Sequence, residues 1–207
     1  MTTAHPPKKR SAGRPREFDR EEALRIAMNL FWRFGFEGTT TPQLTAAMRI
    51  SQPSLYAAFG SKEALYSEAV DYYRGKYSEF LTETLGANLS LKAAVEAMLI
   101  RAAKQFADRD SHPPGCMVAT GALQSSAACM SIQDSLVKYR QEAKVLIRER
   151  LEVGRKAGEL PADADVSALA SYFAMVIQGM AVQARDGASL SMLTKLAKLA
   201  MQAWPKR

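Results

Sequence analysis

The chain has 207 residues, of which 47% are hydrophobic and 24% are charged, so it holds enough apolar material for a folded core and wholesale disorder is excluded. Its formal net charge is +7, and residues 1–16 contain five basic side chains and no acidic one. A basic arm on a nearly neutral body favours a polyanionic partner.

Cysteine and histidine are too scarce for a disulfide scaffold, a metal centre or a cofactor site. The two cysteines, Cys116 and Cys129, lack CxxC spacing and fit a reducing cytosol, and the two histidines, His5 and His112, cannot complete a zinc site. No phosphate-binding glycine loop, nucleophile elbow or HExxH motif is present. The N-terminal charges are not followed by the apolar segment of a secretory signal. We therefore expect a cytoplasmic protein that is not an enzyme and uses no metal and no cofactor.

Apolar residues recur at three- and four-residue spacing along most of the chain, and alternating strand patterns are nearly absent. This periodicity predicts an all-α protein with about nine helices. Helix-start signals come from Asp19, from Thr40 with Gln43, from Ser51 and from Ser90. The expected helices span residues 19–36, 40–49, 51–59, 61–85, 90–106, 116–125, 132–158, 165–185 and 189–203.

Residues 39–66, TTTPQLTAAMRISQPSLYAAFGSKEALY, contain two short helices joined by a tight turn. Such helices bury little apolar surface alone, so the helix over 19–36 must support them, with Leu55 and Phe59 facing it. A helix-turn-helix on a third helix is the geometry that places the second short helix in the major groove of DNA.

The side chains of the second short helix suit base reading. Gln52 can bond an adenine through two hydrogen bonds, and Pro53 and Ala57 can touch a thymine methyl group. Tyr56 offers a hydroxyl donor, and Lys62 lies at the start of the next helix, where free backbone amides also attract a phosphate.

Several spaced motifs of this region resemble the TetR family of transcriptional regulators. They are Gly13-Arg14-Pro15, the stretch FGFEGTT over residues 34–40, and the pattern SxxxLYxxFxSKExL that starts at Ser51. The resemblance is densest over residues 14–70, and it implies an N-terminal three-helix DNA-binding domain followed by a helical bundle for effector binding and dimerisation. By this resemblance, Thr40, Tyr56 and Lys62 touch phosphates, and Gln52, Pro53, Ser54 and Ala57 lie on the base-facing side.

Two positions depart from the family pattern. Arg49 replaces the glycine usual in the turn, so either the backbone differs there or Arg49 itself touches a phosphate. Ala57 and Ala58 replace a bulkier pair, which reduces the base contacts that are possible.

The expected domains are a flexible arm over residues 1–16, the helix-turn-helix domain over 17–62 and the effector-binding and dimerisation domain over 63–207. We expect the arm, including Arg14, to follow the DNA backbone or enter a minor groove, which adds salt-dependent affinity. The alternative is a solvated tail.

One reading helix contacts only a few base pairs, so two symmetric copies are expected to read a palindromic operator. The last two helices are the expected interface. The first of these two helices contains an uncharged stretch from Val166 to Ala184 that is long enough to span a bilayer. The polar residues within this stretch favour a helix of a soluble bundle and no membrane contact. The interface candidates are Phe173, Ile177, Met180, Leu193, Leu196, Ala200 and Trp204; ordinary intrachain core is the alternative.

The remaining helices are expected to enclose a small-molecule effector, whose identity the sequence leaves open. A flexible apolar cavity suits thioether and aromatic side chains. Cys116 follows Pro113-Pro114-Gly115 and would open a helix, whose dipole lowers a thiol pKa, so an electrophilic effector is one version of this hypothesis. The candidates are Met98, Phe106, Cys116, Met117, Tyr139 and Met175; a place in the core is the alternative for each.

The sequence thus favours a ligand-released dimeric repressor. The alternative is a DNA-binding activator or architectural protein without a small-molecule ligand. An enzyme built on a helical bundle is disfavoured because no acid, base or metal constellation is present.

Overall fold

The computed structural model describes residues 18–121 and 130–206. All regular structure within these ranges is helical, which confirms the predicted fold class. The arm over residues 1–16, with Arg14, and residues 122–125 of an expected helix lie outside the described residues. The helices are α1 (Arg20–Phe34), α2 (Thr41–Met48), α3 (Gln52–Phe59), α4 (Lys62–Tyr77), α5 (Glu79–Gly86), α6 (Leu91–Ala107), α7 (Met117–Thr120), α8 (Met130–Lys156), α9 (Val166–Arg185) and α10 (Leu190–Ala200), closed by a 3₁₀ turn over Met201–Ala203.

Three of the four expected N-cap residues make their caps. The carboxylate of Asp19 and the hydroxyls of Ser51 and Thr40 accept backbone N–H bonds, and Thr40 forms a full capping box with Gln43. Ser90 makes no such bond. Instead the Glu159 carboxylate accepts the N–H of Leu91 at 2.6 Å, so a residue distant in sequence takes over the capping of α6.

The helix expected over 61–85 is divided at Ser78 into α4 and α5. The N–H of Leu81 bonds to the carbonyl of Ser78 rather than to that of Tyr77. The Gln105 side-chain amide of α6 donates to the Tyr77 carbonyl that the interruption releases. A tertiary contact therefore compensates for the lost helical bond, and the chain turns toward α6 at this point.

Two hydrophobic clusters lie on either side of α7. The first joins α1 to α4 with Met117, Val118 and the start of α8, and the second joins α5 to α10. Cys116 packs against both clusters. The segment that begins α7 therefore lies where the N-terminal helices meet the larger bundle.

Helix α9 is the one described helix that is long and apolar enough to cross a membrane by length and composition, and 33% of its most apolar window is buried. It packs against α6, α7, α8 and α10. Its remaining surface carries exposed apolar side chains such as Met175 and Val182, which accounts for both its high apolarity and its partial burial.

Candidate nucleic-acid interface and ligand cavity

Helix α3 presents the expected base-reading face to solvent. Leu55 is 0% and Phe59 is 4% exposed, so this side of α3 is held in the first core cluster, as predicted. Gln52, Pro53, Tyr56 and Ala57 are exposed on the opposite side. Ser54 is half-buried and its hydroxyl is 2.8 Å from that of Ser51, so its side chain supports the start of the helix.

Arg49 adopts the left-handed conformation that a glycine would favour in this turn, with φ 57° and ψ 39°. Among the described residues it is the one non-glycine with positive φ. Its N–H caps α2 by bonding to the carbonyls of Ala46 and Thr45. The turn thus has a backbone that suits a glycine although arginine occupies it, and the exposed Arg49 side chain is available to meet a phosphate.

Thr40 and Lys62, the other expected phosphate contacts, both lie at helix N-termini. The Thr40 hydroxyl takes part in the capping box of α2, and it remains exposed. Lys62 is partly buried, and its ammonium makes a cation–π contact 4.2 Å from the centre of the Phe36 ring.

A residue that the sequence analysis missed holds α3 in place. The Arg20 guanidinium donates to the carbonyl of Ala58 at 3.3 Å and to both Glu68 carboxylate oxygens, at 2.7 and 3.0 Å. It also lies 4.5 Å from the centre of the Phe59 ring. Arg20 thus ties the C-terminal end of α3 to α1 and α4, and no spacing rule would have revealed it because its partners lie at least 38 residues away.

A cavity of about 850 Å³ lies among α4, α5, α6, α7, α8 and α9. This volume is typical of small-molecule sites. Phe106, Cys116 and Tyr139 line it as expected. Met98, Met117 and Met175 do not line it, which corrects their expected place. Met98 and Met117 pack inside the two core clusters, and Met175 is 60% exposed on the outer face of α9.

The cavity combines apolar walls with ordered polar groups. Arg74 donates to Glu142 at 2.6 Å, and its guanidinium carbon lies 3.7 Å from the centre of the Tyr139 ring. The Tyr139 hydroxyl donates to Asp71 at 2.9 Å. These contacts connect α4 with α8 along one wall of the cavity.

Cys116 opens α7 as expected, and its Sγ accepts the N–H of Ala119 at 3.4 Å. The expected lowering of its pKa is wrong. Burial raises the pKa of the Cys116 thiol, and this effect outweighs the opposing hydrogen bonds from Tyr73 and from the first amides of α7. The physical reason is that a four-residue helix supplies few amides, while the surrounding side chains of both core clusters desolvate the thiolate.

Most of the expected interface residues are buried inside the chain itself. Phe173, Met180, Leu193 and Ala200 are at most 5% exposed, because they fill the second core cluster, and Ile177 lines the cavity. The four buried side chains present almost no surface to a second copy in this conformation, which corrects their expected place. Leu196 and Trp204 are partly buried. The large apolar residues of the last two helices that are exposed are instead Met175, Val182, Leu190, Met192 and Leu199.

Arg185, at the end of α9, joins the bundle to the N-terminal helices. Its Nη1 donates to the carbonyl of Trp32 at 3.0 Å and to the hydroxyl of Thr120 at 3.2 Å, and its Nη2 donates to the carbonyl of Arg33 at 3.1 Å. The two carbonyls belong to the last turn of α1, where helix carbonyls lack partners of their own. Arg185 therefore connects α1, α7 and α9 at one point.

Comparison with known proteins agrees with this geometry. Residues 23–69 match the family described as bacterial regulatory proteins, tetR family, and residues 94–197 match the tetracyclin repressor-like C-terminal domain. The chain is 32% identical to the HTH-type transcriptional repressor ComR of Escherichia coli (strain K12) over 199 residues, which cover 96% of this chain and 94% of that protein. It is 29% identical to the HTH-type transcriptional repressor BdcR of the same organism over 94% of this chain and 93% of that protein.

The fold is also that of solved structures. A cysteine-substituted form of the TetR family transcriptional regulator CifR, complexed with 26-base-pair double-strand operator DNA, matches with a TM-score of 0.89 and 39% identity over 93% of this chain and 100% of that chain. Regulators of this kind are DNA-binding transcription factors and not enzymes. On the two domain matches and the close relatives together, the chain belongs to the TetR family of bacterial transcriptional regulators.

Proposed function

We propose that this chain is a dimeric, cytoplasmic repressor that binds a palindromic operator through α3 of each protomer and leaves it when a small molecule enters the cavity. The observation that carries the proposal is the exposed polar and small face of α3 on its buried support, in a fold that CifR uses in a complex with operator DNA.

Within this proposal, Gln52, Pro53 and Ala57 meet base edges, while Tyr56, Arg49, Thr40 and Lys62 meet phosphates. All three residues that we place on bases are exposed. Gln52 and Pro53 form the first turn of α3, the part of a reading helix that enters the major groove, and Ala57 lies one turn further along. The basic arm over residues 1–16, with Arg14, adds phosphate contacts beyond the described residues.

The DNA contacts are tested by selecting bound sites from random duplex DNA and measuring affinity by fluorescence anisotropy. Gln52→Ala should lose about 1–3 kcal/mol of binding free energy and relax the preference at one position of the site. Gln202→Ala removes an exposed glutamine at the far end of the chain and is the matched control. Equal affinity of all three proteins for every sequence would contradict base reading by α3 and would favour an architectural protein.

A second copy is required because one α3 reads only a few base pairs. Met175 and Val182 on α9 lie seven residues apart, as do Met192 and Leu199 on α10, so each pair shares one helix face. We place the interface between protomers on these exposed faces, in agreement with the expected helices but with different residues. Sedimentation should show a monomer for Met175→Glu and a dimer for the control Val153→Glu, which changes an equally exposed residue of α8.

The proposed effector acts through α7 and Arg185. Cys116, Val118 and Ala119 line the cavity, and the following Thr120 bonds to Arg185, which also holds the end of α1. A ligand that displaces α7 therefore changes the position of the DNA-binding helices, provided that it binds one arrangement better than the other. An activator would use the same contacts, so transcription from the selected site with and without ligand distinguishes the two.

The electrophilic version of the effector requires a Cys116 thiolate. Since burial raises the pKa of this thiol, we propose reversible binding as the releasing event. Treating wild type and Cys116→Ser with an alkylating reagent tests this choice: loss of operator affinity in the wild type alone would establish the electrophilic version instead.

A further inference from the structure

One cation of the cavity lining is left without a carboxylate. Arg140 lies on α8, and its Nη1 donates to the carbonyl of Val118 at 2.9 Å. No ion pair of Arg140 with an acidic side chain exists within residues 18–121 and 130–206. The sequence of residues 122–129, which precedes α8, contains no Asp or Glu.

The other charged side chains that line the cavity have a polar partner or are exposed to solvent. Arg74 is paired with Glu142, and Asp71 accepts the Tyr139 hydroxyl. Lys138 and Glu79 are exposed. Arg140 is therefore the cation of the lining that is both partly buried and unpaired within the described structure.

Burial makes this charge costly. Desolvation is the largest influence on Arg140 and lowers its pKa, although an arginine remains protonated at any physiological pH. The neighbouring thiol of Cys116 and hydroxyl of Tyr66 are neutral groups, and burial raises the pKa of both. A charge that is partly desolvated and faces only neutral partners gains most from an incoming anion.

The opposite end of the cavity is apolar. Arg140 and Ile147 are seven residues apart on α8, so they are separated by about 10 Å along the helix axis. Ile147 is fully buried among Phe80, Phe106 and Ala174, which also line the cavity. A molecule that spans this distance meets a guanidinium at one end and hydrocarbon at the other.

We infer that the ligand of this cavity is an amphipathic carboxylate, whose anionic head binds Arg140 and whose apolar body lies against Phe80, Phe106 and Ile147. This inference rests on the proposed function in taking the cavity to be the effector site. Arginine suits the head group because its planar fork pairs with both carboxylate oxygens. The apolar body gains free energy by leaving water.

The probe is decanoate, compared with 1-decanol, which has the same chain and no charge. Calorimetric titration of the full-length protein should show that decanoate binds at least about tenfold more tightly than 1-decanol, since a charge-assisted hydrogen bond is worth roughly 1.5–3 kcal/mol. Arg140→Gln should weaken decanoate binding by a similar factor and leave 1-decanol binding unchanged. Arg140→Lys should retain part of the preference. Lys138→Gln removes an exposed cation of the same lining and should change decanoate binding by less than about twofold.

Equal affinities of wild type for decanoate and 1-decanol, or absence of decanoate binding, would overturn the inference. So would a decanoate affinity that Arg140→Gln leaves intact. If Arg140→Gln does not fold, the comparison of the two ligands on wild type and on Arg140→Lys decides. Operator anisotropy on the same samples separates the ligand class from the proposed release of DNA. Arg140-dependent decanoate binding without DNA release supports the ligand class and refutes release. Intact operator binding without decanoate binding refutes the ligand class alone.

Discussion

The left-handed Arg49 in the turn before α3 leads to a prediction in which stability and DNA affinity change in opposite directions. The left-handed conformation costs a residue with a side chain about 1–2 kcal/mol, whereas a glycine adopts it without strain. Relief of this strain would stabilise the glycine variant. The greater conformational entropy of glycine in the unfolded chain opposes the stabilisation by about 0.5–1 kcal/mol. Arg49→Gly should therefore raise the free energy of unfolding by roughly 0.5–1 kcal/mol per protomer.

The same substitution removes an exposed charge that we place on a phosphate. Each lost phosphate contact reduces the slope of log affinity against log salt by about 0.9, so a symmetric dimer should lose about 1.8. Arg49→Ala is the matched control, because it removes the charge and keeps the β-carbon and hence the strain.

Chemical unfolding at one protein concentration and anisotropy over a series of salt concentrations measure the two effects. Both variants should show the same reduced salt slope, and only Arg49→Gly should be stabilised. A salt slope equal to that of the wild type in both variants would refute the phosphate contact. Equal stability of the glycine and alanine variants would refute the strain.

Three further predictions concern the junction of α1, α7 and α9. Arg185→Met should weaken the response of operator binding to any releasing ligand, by a coupling free energy of about 1–3 kcal/mol. The control Arg109→Met removes a single hydrogen bond to the Ala184 carbonyl and should leave the response unchanged. Equal responses of the two variants would exclude Arg185 from the coupling. Gly115→Ala should destabilise by roughly 2 kcal/mol or more in thermal unfolding, because φ is +83° and the new β-carbon would lie 2.6 Å from the Ala181 carbonyl oxygen. In a Cys129→Ser background, iodoacetamide should alkylate Cys116 more slowly than a free cysteine at neutral pH, because burial raises the pKa of the Cys116 thiol. The alkylation rate should keep rising at pH values where that of a free cysteine has levelled off. A pH–rate profile that matches free cysteine would contradict this prediction.

The helix-turn-helix could be predicted from the sequence because its signals are local. Thr40 with Gln43, Ser51 and Ser61 cap helices within three residues of themselves, and Gly60 ends α3. Because such contacts depend on few neighbours, the sequence alone places α2, α3 and the exposed face between them.

The cavity could not be predicted in the same way. Met98 and Met175 both lie at helical spacing beside apolar residues, yet one is fully buried and the other faces solvent. The difference is decided by how α6 and α9 pack, and helical periodicity carries no information about which neighbour covers a given face. Phe173 was misplaced for the same reason, since an apolar stripe fits an intrachain core as well as an interface.

The contacts that join the N-terminal helices to the larger bundle are the least predictable from the sequence. They are also individually weak, which suits the proposed switch. Arg185 reaches carbonyls 152 and 153 residues away, through hydrogen bonds of 3.0–3.1 Å made by an exposed side chain. Such bonds contribute modestly to stability because water competes for the same groups. A buried ion pair at this place would resist displacement by several kcal/mol, more than a ligand's preference for one arrangement usually supplies. An exposed guanidinium on helix-end carbonyls can instead exchange them for water. Under the release mechanism that we propose, the same contact would hold the DNA-binding helices in one position and let them go at low cost when α7 moves.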